Sequence, residues 1–182
     1  MSVRPASLAS ARWWQRALAS LLLCVCTIAS ASPSATANSR SYQVTAPDGV
    51  ALAVQEHGAA DGQAIVFVHG LLGSRIDWDA QLADPQLQGY RLITYDLRGH
   101  GLSGKPTAAS AYREGLRWAD DLAAVLKTTG ARNAVLVGWS LQLQPRAQTV
   151  LYPDAGHAPF LEDSVRFNQD LLRFVEQIGG AP

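Results

Sequence analysis

The sequence predicts an α/β protein: a mostly parallel sheet with flanking helices. Two observations carry that class. Three apolar runs, AIVFV at 64–68, RLITYD at 91–96 and NAVLVG at 133–138, lack polar alternation, the pattern of strands buried on both faces. Segments with helical spacing lie between or after them, and strands alternating with helices build a parallel sheet. Function is then expected at the carboxyl ends of the strands.

Taken in order, SYQVTAPDGVALAVQEHG holds two short strands, 41–45 and 50–56, around an Asp48-Gly49 turn, a hairpin signal. The strand 64–68 follows, then a weakly marked helix over 78–87, then the strand 91–96. Leu116, Ala119, Ala123 and Leu126 recur at helical spacing and predict a helix over 112–129 closed by Gly130. The strand 133–138 comes next, and TVLY suggests another at 147–152. Phe167, Leu171, Phe174, Val175 and Ile178 form one stripe, so a last helix is expected over 164–178, capped by Asp163 or Ser164 and stopped by Gly179.

The first 31 residues read as a signal peptide. Arg4, Arg12 and Arg16 precede an apolar run at 17–31 that ends Ala29-Ser30-Ala31. The run is short and diluted for a membrane span, which needs roughly 18–20 strongly apolar residues. The expected organisation is therefore a signal peptide at 1–31, a small-residue linker at 32–40 and one domain at 41–182. The expected localisation is exported, periplasmic or secreted, with no stable membrane span after cleavage. Both cysteines, Cys24 and Cys26, would leave with the signal, so neither a cysteine nucleophile nor a disulfide is available to the mature chain. Removing three arginines leaves 12 basic against 15 acidic groups, with no basic stripe for nucleic acid. No metal-ligand spacing and no phosphate-binding glycine loop is present, so no metal and no cofactor is implied.

Four stations follow the strands. HGLLGS comes after 64–68, where a tight turn can aim backbone N–H groups at an anion. His69 there reads first as a packed structural histidine. DLRGHGLSGKP follows 91–96 as an ordered glycine-rich loop, with Asp96 and Arg98 placed to pair and hold it. Gly138-Trp139-Ser140 follows 133–138. Gly-x-Ser also occurs at 101–103, so position carries the weight: only Ser140 directly follows a buried strand, where a strained serine is lifted toward base and substrate. Last, YPDAGHAPFLED puts His157 on a loop, placed to act as a base.

VFVHGLLGS, YDLRGHGLSGKP, LVGWSL and YPDAGHAPFLED, in this order, resemble the α/β-hydrolase fold family, specifically its small serine esterase, lactonase and cofactor-free haloperoxidase-like members. The resemblance implies Ser140 as nucleophile and His157 as base. It also implies an oxyanion hole from the N–H groups of Leu71 and Leu141. The implied activity is hydrolysis of small esters, lactones or amides through an acyl-enzyme intermediate. A serine at 140 argues against the epoxide hydrolase and haloalkane dehalogenase branches, which attack with a carboxylate.

The chain also departs from that pattern. Gln142 stands where the family's elbow has its second glycine. The helix after the nucleophile, two further strands, the cap segment and the acid between Ser and His are missing, so the catalytic acid is unassigned; Asp154 is only three residues from His157. A truncated hydrolase joined near 141–146 is the expectation. The six residues between Ser140 and Ala147 reach about 20 Å when extended, so an antiparallel return of 147–152 is the easier route. That route carries His157 to the opposite end of the sheet. An impaired enzyme for a small-molecule substrate is thus one reading; an inactive remnant, or a binder that kept the pocket, is the alternative. The uncovered edge at 133–138 adds an expectation of self-association.

Overall fold

The computed structural model describes residues 39–113, 116–140 and 150–178. Its sheet begins with a hairpin, β1 (Arg40–Thr45) and β2 (Ala51–Gly58), paired antiparallel from Arg40–Glu56 to Thr45–Ala51. The turn between them places Gly49 at φ +88°, and the Ala46 N–H donates to Val50 O at 2.8 Å. That left-handed position is why glycine follows Asp48. Then come β3 (Ala64–Val68), β4 (Arg91–Tyr95) and β5 (Val135–Gly138), in the spatial order β1-β2-β4-β3-β5.

The sheet is mixed rather than mostly parallel. β3 pairs parallel with β4 and β5, whereas β2 pairs antiparallel with both β1 and β4. The hairpin is the reason: a short turn forces its strands antiparallel, and it joins the sheet through β2. The alternation rule explains why AIVFV shows no pattern. Val66 and Val68 point into one core with Val44, Val54, Ile93 and Val125, while Ile65 and Phe67 point into a second with Trp78, Leu92, Phe160 and Leu171.

Helices cover both faces. α1 (Asp79–Leu82) lies between single 3-10 turns at Arg75–Trp78 and Pro85–Leu87, so the expected 78–87 helix is broken. Pro85 supplies the break, since its predecessor is pushed out of helical geometry; Asp84 has ψ 120°. The expected 112–129 helix divides into α2 (Ser110–Arg113) and α3 (Arg117–Thr129), and Gly130 caps α3 at φ 67°. α4 (Pro159–Glu162) and α5 (Ser164–Gln177) end the described chain, with Asp163 accepting from the Arg166 N–H as cap of α5. No helix among the described residues is long and apolar enough to cross a membrane.

Of the expected strand at 147–152, residues 150–152 are not strand, and 147–149 lie outside the described residues. The signal peptide at 1–31, linker residues 32–38, the junction from 141 to 146 and the Gly179 stop lie outside them too. Arg40, assigned to the linker, opens β1.

The expected Asp96–Arg98 pair is replaced by three others. Arg98, fully buried, grips Asp121 of α3 through Nε and Nη2 and reaches Asp48 in the hairpin turn through Nη1 at 2.8 Å. Asp96, also fully buried, pairs instead with Arg75 at 2.6 Å.

Candidate active site

Ser140 stands one turn past the end of β5. The Trp139 N–H donates to Val68 O at 3.0 Å, which carries the β3–β5 ladder one residue beyond the strand. The chain then bends, and Ser140 takes φ 57°, a left-handed conformation unusual for a residue with a side chain. Such local strain marks sites where a side chain must be presented against its backbone preference. Ser140 is exposed, and its Cβ lies 3.1 Å from where a Cβ at position 70 would stand; Trp139 Cε3 lies 2.9 Å from the same point. Only glycine at 70 lets the loop after β3 approach this corner so closely.

That loop is pinned from several sides. The Leu72 N–H donates to His100 Nε2 at 3.4 Å, Gly73 N–H to Gly70 O, Ser74 N–H to Asp77 Oδ2 and Arg75 N–H to Asp96 Oδ1. Across 71–75 only the N–H of Leu71, itself exposed, has no acceptor among the described residues. Leu141, the second expected oxyanion donor, lies outside the described residues.

His69 is structural, as its sequence context suggested. It is fully buried, with Nδ1 within 2.7 Å of Gly70 O and Nε2 accepting the Leu97 N–H at 3.0 Å. Those partners assign the neutral tautomer protonated at Nδ1. Burial pushes its pKa down, which agrees with a ring that stays neutral.

His157 does not lie at the far end of the sheet. Its carbonyl accepts the Trp139 indole N–H at 2.9 Å, and the two rings are 5.6 Å apart between centroids. Residues 150–158 run as loop and turns, so this segment does not cross the sheet as a strand would. The His157 loop therefore lies against Trp139, the residue before Ser140. Among the described residues no hydrogen bond joins the Ser140 hydroxyl to the His157 ring, and none joins an acid to that ring. Asp154 makes no hydrogen bond or ion pair there.

Two residues that the motif reading passed over hold this arrangement. Trp139, read only as the middle of Gly-x-Ser, packs on Phe160 at 5.2 Å and anchors the His157 loop. Glu162 accepts the N–H groups of Gly156 at 2.6 Å and of Ala158 at 3.0 Å. The hydrogen bond from Gly156, then that from Ala158, holds its carboxyl below the usual glutamate range, with a further pull from His157. A glutamate four residues after Ala158 was the available signal.

A groove of about 510 Å³ runs between β5 and α5, lined by Val135, Val137, Gly138, Pro159, Phe167 and Phe174, so it borders the corner through Gly138 and Pro159. No group of three or more His, Cys, Asp or Glu side chains among the described residues is placed to hold a metal ion. Chemically, the described residues here offer an exposed hydroxyl on left-handed backbone at Ser140 and an exposed imidazole on the loop bonded to Trp139.

Residues 63–141 match the alpha/beta hydrolase fold family. The chain is 39% identical over 97 residues to the bifunctional esterase/perhydrolase of Acinetobacter calcoaceticus, covering 53% of this chain and 34% of that protein. It is 40% identical over 97 residues to a non-heme chloroperoxidase of Burkholderia pyrrocinia, with the same coverage. A crystal structure from Burkholderia cenocepacia, assigned provisionally as an aryl esterase, is 69% identical with a TM-score of 0.55, over 56% of this chain and 37% of that one. Epoxide hydrolases occur among solved structures of similar fold. The chain spans about a third of the length of the curated relatives it matches.

Proposed function

We propose that this chain, an α/β-hydrolase-fold protein related to an esterase/perhydrolase and to non-heme haloperoxidases, is a serine hydrolase of small esters, lactones or amides with reduced power. One observation carries the reading: the left-handed Ser140 at the carboxyl end of β5, packed against Gly70. In the proposed step the Ser140 hydroxyl oxygen adds to the substrate carbonyl carbon while its proton passes to His157. The Leu71 N–H faces the developing oxyanion. The leaving oxygen or nitrogen takes the proton from His157, and water then releases the acyl group by the same route. Power is reduced because, among the described residues, no acid hydrogen-bonds the His157 ring, and a triad deprived of one member keeps only a fraction of its rate.

The test is the intact mass of the protein after a fluorophosphonate, with Ser140→Ala alongside. A single adduct lost in the variant supports the reading; a folded protein without adduct overturns it. Residues 1–31 support export, and a mature N-terminus at Ser32 in the exported fraction checks that.

A second reading, a folded chain without turnover that self-associates, is favoured by the edge strand. Among the described residues β5 pairs with β3 alone, and Leu136 is 53% exposed beside the open groove. A second copy adding its own β5 antiparallel would satisfy both rows of edge N–H and C=O groups. Sedimentation that shows a dimer dissociated by Leu136→Lys supports it; a monomer at all concentrations sinks it.

A further inference from the structure

The peptide that carries His157 is gripped at three successive backbone groups. The Gly156 N–H donates to Glu162 Oε2, the His157 carbonyl accepts from Trp139, and the Ala158 N–H donates to Glu162 Oε1. One carboxylate therefore brackets His157 from both sides, across a loop closed by the single turn of α4. A Cβ at 156 would stand 3.1 Å from both Glu162 oxygens, so the carboxylate seats closely against the loop there. The Glu162 carboxylate also feels His157, which adds a small downward pull on its pKa. Trp139 on the β5 side brings no charge, and Asp163 is engaged with the Arg166 N–H.

We infer that Glu162 is the positioning residue for His157, holding its loop, and with it the imidazole, against Trp139, where among the described residues no acid hydrogen-bonds the ring. Its role is geometric: two charge-assisted hydrogen bonds fix the loop backbone, and the ring follows. The inference rests on the serine hydrolase reading only for its consequence in reactivity. The placement of the ring stands or falls by itself.

The sign of its pH dependence follows from the shift. A carboxyl held below its usual range in the fold contributes its grip above the unfolded value, and loses it as pH falls through the lowered folded value. The loop is thus held at neutral pH and released in acid.

The experiment compares the full chain with Glu162→Ala and Glu162→Gln, each checked for an unchanged thermal midpoint. Amide hydrogen exchange at Gly156 and Ala158, and the NOE between the His157 and Trp139 rings, report the placement. Loss of both protections and of the NOE in Glu162→Ala, with partial retention in Glu162→Gln, supports the inference. Unchanged protection and NOE in Glu162→Ala overturns it, whatever the serine does. Where the wild type takes the fluorophosphonate, Glu162→Ala is expected to slow labelling about tenfold, a part of what a placed base supplies; an unchanged rate also overturns it. A wild type that takes no label removes the hydrolase reading and leaves exchange and NOE to decide this one.

Discussion

Trp139 ties the Ser140 corner to the His157 loop: its indole N–H reaches the His157 carbonyl at 2.9 Å, while its own backbone N–H extends the β3–β5 ladder. One residue therefore transmits the position of the sheet to a loop eighteen positions away. Trp139→Phe keeps the apolar ring against Phe160 and removes the donor. It is expected to destabilise by about 1 kcal/mol, the usual net worth of such a bond, and to slow fluorophosphonate labelling of Ser140. Urea unfolding beside labelling kinetics checks both; an unchanged labelling rate would remove Trp139 from the site.

Ser140 carries left-handed strain that glycine would not feel. Ser140→Gly should therefore be more stable by about 1 kcal/mol, the lower range for a residue held in such a region, while losing all labelling. A rise in thermal midpoint with loss of the adduct is the expected pair of results. A fall would mean that the serine side chain stabilises its own corner.

Arg98 and Asp121 are both fully buried and joined at 2.6 Å, with Asp48 as the second partner of the guanidinium. Asp121→Ala leaves that charge half-paired beneath the hairpin turn. The expected cost is about 3–5 kcal/mol, typical for one member of a buried pair, measured by denaturant unfolding. A loss under 1 kcal/mol would show that Asp48 alone suffices.

Glu56 reports acid stability. Burial pushes its carboxyl up, but hydrogen bonds from Arg91, Tyr42 and Arg40 outweigh this and hold it at about 2. A depressed carboxylate stabilises the fold above its unfolded value and loses that contribution as pH falls through the folded one. The stability difference between wild type and Glu56→Gln should then be full above about 4.5 and shrink toward pH 2. A difference that does not vary with pH would contradict the ion network at the start of β1.

Much of the fold was readable because it is local. The three apolar runs became β3, β4 and β5, and the Asp48-Gly49 turn became a hairpin because only left-handed backbone closes it. The stripe from Phe167 to Val175 became α5. Local breaks were harder to weigh: Pro85 divides 78–87 into short turns, and the expected helix from 112 divides into α2 and α3.

The sequence by itself determined the strand–loop stations, the serine at a strand end and the resemblance to α/β hydrolases, since these depend on residue type and short spacing. Tertiary structure alone decided which charges meet. Asp96 and Arg98 are two residues apart, yet each bonds to partners 21 to 50 positions away, because burial selects ion pairs by proximity in space. It also decided where His157 goes. Chain length and strand direction argued for the far end of the sheet, but one indole N–H ties its loop to Trp139 and one carboxylate braces that loop from within. Contacts of that kind are few and directional, and no periodicity in a sequence announces them.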